Sequence, residues 1–260
     1  MNFKTIAPGD SISLFVKDIL LFENEDHVIE TILPFFADGY PGIMFQETTN
    51  GLFVMPHNKQ MPDLFLYGQT IRPIQLKIEG AYSLIVFQLY PFVLDSFFAV
   101  NPKDLNDDCY DLAHLKDLDV KKIIPQLKKA ADFNSRINII TSLLYSIFQA
   151  KREKIDYKIQ QAIQLIVNNR PQQTIKELRE KLNITERTFE RRFMAQVGVT
   201  PKQFSKIIQF QLSLNDLTDS DFTKLTDIVY KNGYADQSHF IRVFKAFTGK
   251  RPKDFHIKKR

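Results

Sequence analysis

Tryptophan is absent from this 260-residue chain, and cysteine occurs once, at position 109. A single thiol excludes an internal disulfide and a thiol metal cluster, which fits a reducing, cytoplasmic compartment. Cys109 itself reads as a small core or loop residue. No run of about 18 apolar residues occurs, so no helical membrane span is expected. The opening stretch MNFKTIAPGDSISLF lacks the basic-then-apolar layout of a signal peptide. Histidine is sparse in the first half: His27, His57 and His114 form no His-x-His pair and have no Glu at ligand spacing. A metal site needs several convergent ligands, so no metal ligand is assigned. Nucleophile elbows, phosphate-binding glycine loops and persuasive carboxylate pairs are also missing. No catalytic residue and no cofactor are therefore expected.

What remains is the composition of an ordinary globular protein, 44% apolar and 25% charged. Its length allows one to two domains. Without tryptophan, aromatic packing falls to 23 Phe and 9 Tyr. The net charge of +5 conceals a division. Residues 1–157 carry 15 Lys and Arg against 20 Asp and Glu, whereas residues 158–260 carry 20 against 10. A basic C-terminal part following an acidic N-terminal one suggests a polyanionic partner for the former, or simply a solvated basic surface.

The first hundred residues read as strand-rich. Short apolar or β-branched runs cover Ser11–Val16, Gly42–Phe45, Leu64–Tyr67, Ile74–Ile78 and Ala81–Gln88, separated by turn signals such as Pro8-Gly9-Asp10 and Glu79-Gly80. That spacing predicts a β-sandwich or barrel, with Asn50-Gly51 the best hairpin candidate. From Pro102 to about Leu118 the chain is acidic and loop-like. Helical spacing begins near Val120, with Ile137, Ile140, Leu143, Leu144 and Ile147 on one stripe. This helix either caps the β-part or forms a dimer seam. The charged stretch Lys151-Arg152-Glu153-Lys154 marks a domain boundary. A further helix carries Ile159, Ile163 and Ile166 and stops near Pro171. The expected architecture is α+β: a β-rich domain over 1–118, a helical linker over 119–157 and an all-α domain over 158–260.

The last ninety residues repeat themselves. Phe189, Arg191, Phe193, Gly198, Pro201 and Phe204 recur as Phe240, Arg242, Phe244, Gly249, Pro252 and Phe255, each 51 residues later. A fixed offset marks a duplicated supersecondary unit. In the first copy, Ile175, Leu178 and Leu182 define a helix face, Asn183-Ile184 breaks it, and Thr185 is placed to cap the next helix. Phe189 and Phe193 point inward one turn apart. The plan is helix-turn-helix. Arg187, Glu190 and Arg191 form the outward face of the second helix. In the second copy Leu225 and Ile228 face inward, Gly233-Tyr234 makes a turn one residue longer, and Asp236 caps a helix exposing Gln237, Ser238, Ile241 and Arg242. Arg pairs with guanine, Gln with adenine, Glu with cytosine and an aliphatic group with the thymine methyl, so this mixture suits base reading better than phosphate binding alone. Gly198 ends the first helix, and Thr200-Pro201 opens a connector helix to about Leu217.

The segments TIKELREKLNITERTFERRFMAQVGVTPKQF and LTDIVYKNGYADQSHFIRVFKAFTGKRPKDF resemble the DNA-binding domain of the AraC/XylS family of transcription regulators. The resemblance covers residues 158–260. It implies that Arg187, Glu190 and Arg191 in one helix, and Gln237, Ser238, Ile241 and Arg242 in the other, meet double-stranded DNA. The connector departs from the family at Gln209, where Arg is usual, and at Ser213, where Ala is usual. The N-terminal segments LPFFADGYPGIMFQ and LYGQTIRP resemble a module of one uncharacterised branch of the family. The family implies a cupin-like N-terminal barrel that senses a small molecule or mediates homodimerisation. For an activator, it also implies contact with RNA polymerase. Two other classes stay open at this stage: a metal-dependent cupin enzyme with a helical appendage, and an interaction or DNA-repair module that reuses the helical fold.

Overall fold

Strand β9 (Tyr82–Leu89), YSLIVFQL, is almost wholly apolar, and its position explains why. Its side chains alternate between two cores. Tyr82, Leu84 and Val86 enter one cluster, while Ile85, Phe87 and Leu89 enter another. A strand covered on both faces reads as a continuous apolar run. The computed structural model describes residues 2–25, 30–115, 120–168, 174–219 and 225–255. Within them β9 is central to a six-stranded antiparallel sheet. Its order is β1 (Asn2–Ile6), β2 (Val16–Asn24), β9, β4 (Gly42–Thr48), β7 (Leu64–Tyr67), β10 (Cys109–Asp111). A four-stranded sheet, ordered β3 (Glu30–Phe35), β8 (Ile74–Glu79), β5 (Leu52–Met55), β6 (Lys59–Gln60), lies against one face. Phe22, Met44, Phe65, Leu76, Ile78 and Leu84 fill the space between the sheets.

Asn50-Gly51 does not make the expected hairpin. β4 pairs with β7 and β9, whereas β5 pairs with β6 and β8, so the dipeptide carries the chain from one sheet to the other. Gly51 takes φ +95° at this corner. The chain crosses back between β8 and β9 at Gly80, φ +83°. The Thr49 amide donates to the Ala81 carbonyl at 3.1 Å and ties the two crossings together. A positive-φ residue serves a corner as well as a hairpin, so the turn signal was satisfied differently. The run Ser11–Val16 also departs from expectation. Residues 10–15 form turns, with the Val16 amide bonded to the Ile12 carbonyl at 2.8 Å, and β2 begins only at Val16. Ile12, Phe15 and Val16 are buried at i, i+3, i+4, a helical spacing that composition alone hid.

Helices cover the other face of the large sheet. α1 (Val93–Phe98) falls where only strands were expected, and α2 (Pro102–Leu105) lies in the segment read as loop. α3 (Val120–Lys129) and α4 (Phe133–Lys151) follow. α4 buries Ile140, Leu144 and Ile147, and Phe148 stacks on Phe15 at 5.1 Å, so this stripe caps the β-part. Pro171 and His27 lie outside the described residues. The helical part comprises α5 (Tyr157–Asn168), α6 (Ile175–Lys181), α7 (Glu186–Val197), α8 (Pro201–Asp219), α9 (Leu225–Lys231) and α10 (Gln237–Thr248). One hydrophobic cluster runs unbroken from Phe15 and Phe97 through Ile140 and Ile163 to Phe193 and Phe204. A separate cluster joins α8, α9 and α10 to Ala37 of the β-part.

The segment around Ala37 holds a half-buried carboxyl group, that of Asp38. Asp38 accepts from the backbone amides of Tyr40 at 3.2 Å and Thr70 at 3.4 Å, and from Gln88 Nε2 at 3.4 Å. Burial outweighs these bonds and the charge of Lys17, and pushes the Asp38 carboxyl up to about 7 from an ordinary 3.8. The folded state therefore keeps a proton that the unfolded chain has lost between those values, so stability falls as pH rises through that window and levels off above it. Each unit of pH inside the window is worth up to about 1.4 kcal/mol. Urea unfolding of the full chain between pH 4.5 and 8 should show this decline. Asp38→Asn should flatten it, and an unchanged slope would exclude Asp38 as its source.

Two glycines at equivalent places should respond differently to substitution. Gly198 ends α7 at φ +80°, and Gly249 ends α10 at φ +74°. A Cβ on Gly198 would lie 2.6 Å from the carbonyl carbon of Pro102, whereas one on Gly249 meets nothing within 4 Å. Gly249→Ala should cost only the left-handed backbone penalty, about 1–2 kcal/mol. Gly198→Ala should add an overpacking cost of about 1–3 kcal/mol. Equal losses in chemical denaturation would contradict the close approach of α2.

Candidate nucleic-acid interface

The first helix-turn-helix unit starts at a capping box. The Thr174 amide donates to Glu177 Oε2 at 2.8 Å, and the Glu177 amide donates to Thr174 Oγ1 at 3.2 Å. After α6 the turn passes through Asn183 at φ +48°, a conformation that Asn tolerates better than most residues. Thr185 occupies the N-cap of α7, but its hydroxyl bonds to Thr188 Oγ1 at 3.0 Å and makes no capping bond. Phe189 and Phe193 are fully buried with ring centroids 5.6 Å apart, and Phe193 meets Phe204 of α8 at 5.7 Å. Arg187, Glu190 and Arg191 lie on the opposite, exposed face. None of the three makes a side-chain hydrogen bond or ion pair among the described residues. Arg192 differs: it grips Asp156 with both Nε and Nη2, at 2.6 and 2.5 Å, and so locks α7 to the start of α5. No periodic signal announces that pairing, because the partners are far apart in the chain.

The second unit repeats this plan. Gly233 turns at φ +71°, and Asp236 caps α10 by accepting from the His239 amide at 2.7 Å. Phe240 and Phe244 are 5.6 Å apart, and Phe244 meets Phe255 at 5.1 Å. Gln237, Ser238 and Arg242 are exposed and Ile241 is half-buried. The two connector residues that depart from the family both hold this turn. Gln209 Nε2 donates to the Asn232 carbonyl at 2.9 Å, and the buried Ser213 hydroxyl lies 3.2 Å from the Tyr234 hydroxyl. Lys231 and Asn232 both bond to Asp216 at 2.7 Å.

The β-part holds both units from behind. At the end of α7, Gln69 Nε2 donates to the Val197 carbonyl at 2.5 Å, and Asn106 Nδ2 donates to the Gly198 carbonyl at 3.0 Å. Gln196 receives the Ser96 hydroxyl at 3.2 Å and donates to Asp95 at 2.5 Å. On α8, Gln211 Nε2 donates to the Ala37 carbonyl at 2.6 Å. Phe36 packs edge-on against Phe255 at 5.3 Å. These contacts leave the exposed faces of α7 and α10 open.

The β-part encloses a narrow apolar cavity of about 30 Å³, lined by Phe35, Met44, Phe65, Tyr67 and Cys109 among others. Burial pushes the Cys109 thiol up to about 12, so it is protonated at neutral pH and is no nucleophile of the kind alkyl transfer requires. No group of three or more His, Cys, Asp or Glu residues arranged to hold a metal ion occurs among the described residues. No helix among them is long and apolar enough to cross a membrane.

Two segments of the chain match known families. Residues 178–257 match the family described as "Helix-turn-helix domain", and residues 4–111 match "Domain of unknown function (DUF6597)". An uncharacterized HTH-type transcriptional regulator of Staphylococcus aureus (strain MSSA476) is 26% identical over 235 residues, covering 82% of this chain and 29% of that protein. Another, from strain MRSA252, is 32% identical over 82 residues, 32% of this chain and 11% of its own length. The chain thus spans less than a third of the curated relatives it matches. Among solved structures, ToxT from Vibrio cholerae O395, bound to (E)-4-(8-methylnaphthalen-1-yl)but-3-enoic acid, aligns over 98% of each chain at 15% identity, with a TM-score of 0.48. A probable AraC family transcriptional regulator from Rhodopseudomonas palustris aligns over 38% of this chain and 94% of its own, at 24% identity and a TM-score of 0.36. Residues 178–257 thus match a helix-turn-helix domain family, and the two units on one connector helix carry the resemblance of this segment to the AraC/XylS family.

Proposed function

We propose that this chain is a sequence-specific DNA-binding transcription regulator that lays α7 and α10 into successive major grooves on one face of the duplex. The observation that carries this reading is the pair of exposed polar faces, unpartnered among the described residues, on two helices joined by one 19-residue helix, α8. A helix of that length rises roughly 28 Å. That is commensurate with the ~34 Å between successive major grooves. Arg187, Glu190 and Arg191 would read one half-site, and Gln237, Ser238, Ile241 and Arg242 the other. Because the two sets differ, the half-sites differ too.

The remaining assignments belong to the same reading. Residues 1–118 form a sensing domain, 119–157 a linker available for homodimerisation and 158–260 the DNA-binding domain, acting in the cytoplasm with no catalytic step. RNA polymerase is a further partner if regulation is activation. A small effector would act on the β-part. Ligand pockets usually measure about 300–1,000 Å³. The cavity between the sheets is about 30 Å³, so an effector of ordinary size that entered there would require the two sheets to part.

Fluorescence anisotropy of the full chain, titrated with duplexes selected from a randomised library, tests the reading. A specific duplex should emerge, with affinity falling steeply as salt rises because phosphate contacts release counterions. Affinity indifferent to sequence would sink the proposal. Arg242→Ala should cost about 1–3 kcal/mol at one base position and relax specificity there. A uniform loss over all sequences would instead make Arg242 a phosphate contact.

A further inference from the structure

The two reading helices end differently, and the difference lies 51 residues apart in the repeat. In both, the C′ glycine amide returns to the helix, Gly198 to the Met194 carbonyl and Gly249 to the Lys245 carbonyl, each at 2.9 Å. Beyond that point the copies part. α10 ends on Thr248, whose hydroxyl donates to the Phe244 carbonyl at 2.8 Å and lies 3.0 Å from the Lys250 carbonyl, while the Lys250 amide returns to it at 3.1 Å. Here a side chain of the helix itself takes up the Lys250 amide. The equivalent residue of α7 is Val197, fully buried and without a polar side-chain atom. The carbonyls of Val197 and Gly198 accept from the β-part, from the side-chain amides of Gln69 and Asn106.

The amide orientations are fixed by the acceptors they face. Gln69 Nε2 meets two, the Val197 carbonyl and Asn106 Oδ1, the latter at 3.0 Å. Turning the amide over would set Oε1 against both. Gln69 is 1% exposed, and its Oε1 has no partner among the described residues. An unsatisfied buried oxygen carries a penalty, and here it accompanies the placement of Nε2 on the helix end. The backbone of Pro102 and Lys103 closes on Gly198 beside this contact.

Resting on the DNA-reading function proposed above, we propose that Gln69 and Asn106 are positioning residues for the first reading helix. They fix the axis of α7 from its C-terminal end, so recognition of the α7 half-site depends on these two side chains whereas that of the α10 half-site does not. Neither residue touches DNA; both lie behind the helix at the end away from Arg187.

The test uses the full chain and a duplex selected from a randomised library with the wild-type protein. Arg191→Ala and Arg242→Ala first assign the half-sites to α7 and α10. Gln69→Leu is then measured on the selected duplex and on duplexes with one half-site scrambled. The expected result is a loss of roughly 5- to 10-fold that vanishes when the α7 half-site is scrambled and persists when the α10 half-site is. Asn106→Ala, at a half-buried position that leaves Gln69 in place, should give the same split with smaller amplitude, and serves if Gln69→Leu does not fold. Equal loss at both half-sites, or no loss in a folded variant, would overturn the positioning role while leaving the DNA-reading proposal intact. A wild-type chain that selects no duplex overturns both.

Discussion

A helix leaves its last carbonyls without intrahelical partners, and when that end is buried the donors have to come from elsewhere. The end of α7 is such a place, and much of the molecule is arranged around it. Gly198 takes a left-handed conformation that no side chain could share with the backbone of Pro102 so near. Gln69 sits at the end of β7 and Asn106 just after α2, and both reach the same helix terminus. One helical turn back, Arg192 is held by Asp156. The apolar cluster beneath runs without interruption from the β-part into α7 and α8. Release of that one terminus would expose carbonyls, a tight backbone approach and a shared core together.

The duplication kept the aromatic scaffold and one exposed arginine, Arg191 and Arg242, and varied most of the rest. Rings recur in the same relation, Phe189–Phe193–Phe204 at 5.6 and 5.7 Å and Phe240–Phe244–Phe255 at 5.6 and 5.1 Å. Large aromatic rings in edge-on contact tolerate little change of shape, which makes them the natural constant of a repeat. The surroundings then diverged. The first unit leans on the β-part through polar side chains, while the second is held by the connector through Gln209 and Ser213 and meets the β-part at Ala37 and Phe36.

Much of this was legible in the residues because local signals and tertiary packing agreed. The helical stripe of α4, the C′ glycines, the Asp236 cap and the paired phenylalanines follow from spacing and conformational preference alone. Asn50-Gly51 misled because turn chemistry fixes a backbone angle and not the strand that follows. Ser11–Val16 misled because a six-residue apolar stretch is too short to distinguish a turn of helix from a strand. Thr185 sits at an N-cap yet spends its hydroxyl on Thr188. The contacts of Gln69, Asn106 and Asp156 were invisible for a different reason: polar residues pairing across some 36 to 128 positions leave no periodic trace.

The continuity of the main core also bears on how the chain comes to be folded during synthesis. β2 must wait for β9 to pair, and the buried cluster that includes Phe15 is complete only when Ile208 has been made. Chains grow at roughly 5–20 residues per second, so the early strands spend on the order of ten seconds or more without their final neighbours. Pairings so distant in sequence are slow to close in any case. A nascent chain stopped short of α7 would leave this cluster open where Phe189, Phe193 and Val197 join it, and guarding that face during growth falls to whatever meets the ribosome exit.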